Sequence, residues 1–275
     1  MDKKFWLGIR ENQFAVPDGY SIEDLVDELL SLIASTDPEL RDVIGYETYA
    51  NWLEQEKIPA ELMRICISRL TANFGHTLGE RDTDTVFLRS FSVLLLAETV
   101  HHDNKVLVLK KEEIDDVLIK CLAYLKGERD PRGYVDGKGW AHALAHTADL
   151  LYTLASNRHT EPAQLEQILY AIAWKITEST DWAYRHGEDD RLMQAVAGAV
   201  KRNLLDESSY KEWLDSILMP TWKGSFTDET QNNAFFNTRN FLRSFYLFLL
   251  EAKEPAIRDF LFKETGSMLR RFKQF

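Results

Sequence analysis

Residues 87–98 read FLRSFSVLLLAE, and residues 241–252 read FLRSFYLFLLEA. The two stretches agree at Phe, Leu, Arg, Ser and Phe, and again at two later leucines. Both are apolar around most of a helical circumference, which marks a helix packed between neighbours. Two further helices fit between them, so that Arg89, His146, Gln194 and Arg243 stand 57, 48 and 49 residues apart. A period of about 40–50 residues built of helix pairs is the signature of HEAT- or armadillo-like stacking.

Outward from these two segments, apolar residues recur at helical spacing. Ile114, Val117, Leu118, Cys121, Leu122 and Leu125 follow one stripe, and Leu165, Ile168, Leu169, Ile172, Ala173 and Ile176 follow another. Strand signals are scarce. Ser21 with Asp24 reads as a capping box, and Pro38, Pro59, Pro162 and Pro255 sit where a first helical turn accepts proline. The expected helices are 22–34, 38–56, 60–73, 84–101, 111–127, 139–156, 161–179, 189–204, 208–219, 230–252 and 254–272. The fold class is therefore all-α, an α/α superhelix of antiparallel helix pairs. Residues 1–75 are expected to form an N-terminal helical cap and residues 76–275 the repeat array, with the loop 74–84 between them.

Composition narrows the function. The chain has 275 residues, 45% hydrophobic and 28% charged, enough for a sizeable core without wholesale disorder. Cys66 and Cys121 lie apart among apolar residues, which predicts two buried free thiols in a reducing compartment. No secretory signal is read in the first residues, and no apolar run reaches the ~20 residues that span a bilayer. A cytoplasmic protein without membrane contact is expected. The net charge is −11, and residues 21–61 carry eleven acids against Arg41 and Lys57. That segment reads as solvated helix faces or as an acidic docking surface. Nucleic acid is not favoured, because no basic stripe is present to meet phosphates.

Residues 130–151, DPRGYVDGKGWAHALAHTADLL, carry the candidate site. On an ideal helix His142, His146 and Asp149 fall at about 0°, 40° and −20°, on one face. Two histidines four apart can share a metal ion, and Asp149 could orient His146. The rise of roughly 10 Å between His142 and Asp149 keeps all three off one ion. A third ligand would come from Asp136, Glu98, His101, His102 or His186. A metal-free polar pocket and purely structural histidines remain open as alternatives. The Gly-rich loop with Lys138 reads as turn chemistry or as a weak anion site. Arg89 and Arg243 hold equivalent places in the two echoes. They would line one surface with His146, or brace neighbouring repeats through carboxylates. Asn232, Phe236, Arg239, Asn240 and Arg243 give the helix at 230–252 a polar N-terminal face. No nucleophile elbow and no phosphate-binding glycine motif is present.

The segments FLRSFSVLLLAE and RGYVDGKGWAHALAHTADLL resemble those of an uncharacterised bacterial family, a domain of unknown function in which GWAHALAHTADLL recurs. The resemblance covers roughly residues 20–270. It implies a bacterial, cytoplasmic, helical protein and marks Trp140, His142, His146 and Asp149 for testing. The helix pairs are also similar in outline to the helical-repeat DNA alkylation glycosylases, but the basic balance such an activity wants is missing. The leading expectation is a non-enzymatic scaffold for a protein or small-molecule ligand. Its polar concave surface would be lined by Arg89, Trp140, His142, His146, Asp149, Asn240 and Arg243, with no cofactor. The alternative is a metal-dependent hydrolase-like enzyme with a divalent ion on His142 and His146.

Overall fold

In the computed structural model, residues 1–218, 228–253 and 256–272 are described. The protein is all-α, about 70% helical, with helices packed in neighbouring pairs. The chain divides into two compact units, Met1–Leu150 and Leu151–Phe275.

The first unit holds α1 (Lys3–Glu11), α2 (Ile22–Leu32), a π-helical segment (Glu39–Tyr46), α3 (Glu47–Glu54), α4 (Ala60–Asn73), α5 (Thr85–Val106) and α6 (Lys111–Gly127). A short hairpin follows, β1 (Tyr134–Val135) and β2 (Gly139–Trp140), leading into α7 (Ala143–Ala155). The unit division falls within α7. α5 is the central helix, packed against α3 and α4. Its residues Val86 to Ala97 are buried at every position except Leu88.

The second unit continues with α8 (Pro162–Thr177), α9 (Glu188–Arg202), α10 (Glu207–Leu218), α11 (Glu229–Glu251) and α12 (Ile257–Arg271). α11 packs on α8, α9 and α12. The striped helix α8 buries its whole expected stripe, from Leu165 to Ile176, and leaves Tyr170 and Trp174 outside.

Three expectations change. The chain from 38 to 56 is not one α-helix. It begins as a π-helical segment, in which the Glu47 N–H reaches the carbonyl of Asp42. Gly45 permits this, since a Cβ there would lie 3.2 Å from the Leu40 carbonyl oxygen. The helix expected from residue 139 starts at Ala143 instead, because Gly139 and Trp140 are strand residues. α1 was not expected at all; Asp2 caps it by accepting from the Phe5 N–H, and it buries only Trp6 and Ile9. The expected start at Glu254–Pro255 and the expected last residue of 208–219 lie outside the described residues.

Candidate functional site

The segment 130–142 is built from its turn outward. Tyr134 pairs with Trp140 and Val135 with Gly139, antiparallel, across the loop Asp136-Gly137-Lys138. The loop closes when the Lys138 N–H donates to the Val135 carbonyl at 3.0 Å, with Gly137 at φ +70°. Two more main-chain bonds extend the pairing, Ala141 N–H to Gly133 O at 2.8 Å and His142 N–H to Arg132 O at 3.0 Å. These bonds hold His142 at φ +53°, outside the helix, where its carbonyl accepts the His146 N–H at 2.9 Å. The one-face arrangement of His142, His146 and Asp149 on a single helix therefore does not hold. Only His146 and Asp149 share α7, and Asp149 is half-buried.

The rings form a file running inward. Tyr134 is 55% exposed and meets the edge of Trp140, itself 40% exposed, at 5.2 Å between centroids. Trp140 stacks on His142 at 4.6 Å and 22°. His142 meets His146 at 5.7 Å and 70°, and His146 meets Phe91 of α5 at 5.1 Å and 84°. Both imidazoles are buried. His146 Nδ1 lies 3.2 Å from the Ser90 carbonyl oxygen; since a carbonyl only accepts, this nitrogen carries the proton.

Charged groups brace the hairpin. Lys138 pairs with Asp84 at 2.6 Å, so the cation read as an anion ligand is already engaged. Arg132 holds Asp130 at 2.6 Å and donates to the Thr83 carbonyl at 2.6 Å. Beneath the turn lies Arg41, fully buried between the rings of Phe87 and Phe91, at 4.2 and 4.7 Å from their centroids. It donates to Ser35 O at 2.9 Å and Lys138 O at 2.8 Å and pairs with Asp42 at 2.7 Å. Burial draws the Arg41 pKa down and pushes that of Asp42 up, each against the opposing charge of its partner. Sequence reading missed Arg41. Its signal was slight: one of two basic residues in a strongly acidic segment.

Arg89 lies in the interior of the first unit. It is 0% exposed, and its guanidinium is bidentate to Glu128 at 2.7 and 3.0 Å. The remaining nitrogen donates to His76 O, Thr77 Oγ1 and Thr85 Oγ1. Glu128 also accepts from the Tyr124 hydroxyl at 2.8 Å, and burial with that carboxylate raises the tyrosine pKa well above its usual value. Arg89 thus joins α5 to Glu128, the residue that follows α6. Arg243, its counterpart, is exposed on α11, and Asn240 is half-buried on the same helix.

A metal finds two imidazoles here and no more. Among the described residues, no group of three or more His, Cys, Asp or Glu could hold an ion. Asp136 and His101 are exposed, Glu98 accepts from the Tyr46 hydroxyl at 2.8 Å, His102 is buried at the far end of α5, and His186 belongs to the second unit.

An all-α chain with a ring-bearing hairpin set on its central helix is thus the class defined by fold and site. The chain belongs to the family described as protein of unknown function (DUF2785), whose profile matches residues 74–247, from before α5 to the last turns of α11. No curated protein and no solved structure matches it. Among the described residues, no helix is long and apolar enough to cross a membrane.

Proposed function

We propose that the chain is a non-enzymatic binding protein whose first unit offers the Tyr134–Trp140 hairpin to a protein partner. One observation carries this reading: two large rings stand side by side in solvent on a backbone held by Arg41, Arg132 and Lys138. Exposed Trp and Tyr on a rigid support are the residues that dominate binding energy at protein interfaces. His142 and His146 then act as the ring stack that fixes Trp140, and neither a metal nor a cofactor is required. The helix pairs are read as a HEAT-like array that serves as the frame, supported by the packing of sequence neighbours such as α4 with α5 and α11 with α12. A bacterial cytoplasmic setting fits the two buried free thiols, Cys66 and Cys121.

The test is comparative capture from a cell extract, with wild type beside Trp140→Ala and Tyr134→Ala, each first shown to melt as wild type does. A partner retained by wild type and lost from both variants is the expected result. Equal capture by all three would remove the hairpin from the binding surface.

A further inference from the structure

α11 carries a face that the hairpin reading does not use. At about 100° per residue, Asn232, Phe236, Arg239 and Arg243 fall within an arc of about 60°, with Asn240 about 40° beyond it. Opposite this face, Ala234, Thr238, Phe241 and Phe245 are buried. Asn237 is spent on the 180–184 loop, accepting the Tyr184 N–H at 2.8 Å and donating to the Trp182 carbonyl at 3.0 Å.

Two arginines at i and i+4 repel unless an anion joins them. Among the described residues neither Arg239 nor Arg243 makes an ion pair, in a chain of net charge −11. Asp190 of α9 accepts from Ser244, one residue beyond Arg243. Arg239 is also ordered in advance: its guanidinium lies over the Phe236 ring at 4.6 Å, with Phe235 at 5.8 Å. Stacking occupies the flat face of the group and leaves its N–H edges for an acceptor. Among the described residues, Arg239 Nε and Asn232 Oδ1 are shielded from solvent and have no hydrogen-bond partner. Burial, then the Arg243 charge, pull the Arg239 pKa below the usual arginine value, as expected of a cation whose counter-charge is missing. A shielded donor without an acceptor is costly.

We infer that Arg239 and Arg243, with Asn232, Asn240 and Phe236, form a binding site for a small phosphomonoester. The Cα atoms of the two arginines lie about 6 Å apart along the axis. A tetrahedral dianion can present one edge to each fork, whereas a carboxylate satisfies one. Phe236 supplies an apolar side for the organic part of the ester.

The test is calorimetry on the full chain at constant ionic strength in chloride, titrating inorganic phosphate, phenyl phosphate and benzoate. Wild type is expected to bind phenyl phosphate saturably, more tightly than phosphate and well above benzoate. Arg243→Gln should weaken it about tenfold, the loss of one charge-assisted pair. Arg243→Lys should recover only part, because the fork is lost. Arg239→Gln should behave as Arg243→Gln does; if it fails to fold, the exposed Arg243 decides alone. Absence of saturable binding by wild type, equal binding by Arg243→Gln, or benzoate binding as tightly as phenyl phosphate would each overturn the site.

Discussion

α5 and α11 both contain the five residues FLRSF, at 87–91 and 241–245, and the fold uses their arginines in opposite ways. In α5 the arginine is fully buried and joined to Glu128; in α11 its counterpart stands in solvent. Val93 and Leu96 are buried, while Leu247 and Leu250 at the matching places are 57% and 52% exposed. α5 is enclosed because Val86 and Phe87 pack with Ala141, Ala143 and Val135 of the hairpin segment, and because Arg41 covers Phe87 and Phe91. An arginine in a repeated motif therefore has no fixed meaning. Its role is set by whether a carboxylate arrives from another element.

The largest expected effect breaks that contrast at its centre. Glu128→Ala leaves a buried guanidinium without counter-charge and should cost about 3–5 kcal/mol. Arg243→Ala should stay within about 0.5 kcal/mol. Urea unfolding of both variants checks this, and similar costs would mean the two helices are not differently used. Next comes the cover over α5. Gly139 sits at φ +78°, and a Cβ there would approach Pro38 Cβ to 3.0 Å and Arg41 Nη2 to 3.1 Å. Gly139→Ala should lose about 1–3 kcal/mol, with Trp140 emission shifting as the hairpin loosens.

A smaller effect concerns acidity. Burial holds the His102 pKa below its ordinary 6.5, against the raising influence of Glu56, Glu54 and Asp103. The unfolded chain then takes up the proton first as pH falls. This contribution to stability is complete above 6.5 and is lost as pH drops below that value. His102→Gln should flatten the stability profile below pH 6.5; an unchanged slope would assign the loss to carboxylates. α11 contains no histidine and offers no such titration. The smallest effect is the reverse of the first: in low salt without added anions, Arg243→Gln should raise stability by a few tenths of a kcal/mol, and added salt should erase the gain.

Helix-making was legible wherever a stripe was long. The stretch expected at 111–127 is α6 to the residue, and 60–73 is α4. Burial on all sides of 87–97 was also legible, since no polar face interrupts it. The hairpin was not, because strands of two residues carry no periodicity. Its glycines announced a turn without saying that His142 would be held out of the helix. The π-helical segment follows from packing at Gly45, which no spacing records. At the candidate site, the grouping of Trp140, His142 and His146 could be read from proximity in the chain. The partners Arg41 and Tyr134 could not be ranked: one lies far away in sequence, and the other gained its role only through strand pairing.

The bond from Arg41 to the Lys138 carbonyl joins residues 97 apart. Closing a loop of that length carries an entropic cost that the contact has to offset. On a ribosome the first helices emerge with Arg41 already near Ser35 and Asp42, and Phe87 and Phe91 follow. Until residue 138 has been added, the guanidinium lacks its second main-chain acceptor and the rings of α5 lack their outer layer. Synthesis thus delivers the hairpin only after the helices it covers, and Arg41 gains its second main-chain acceptor only then.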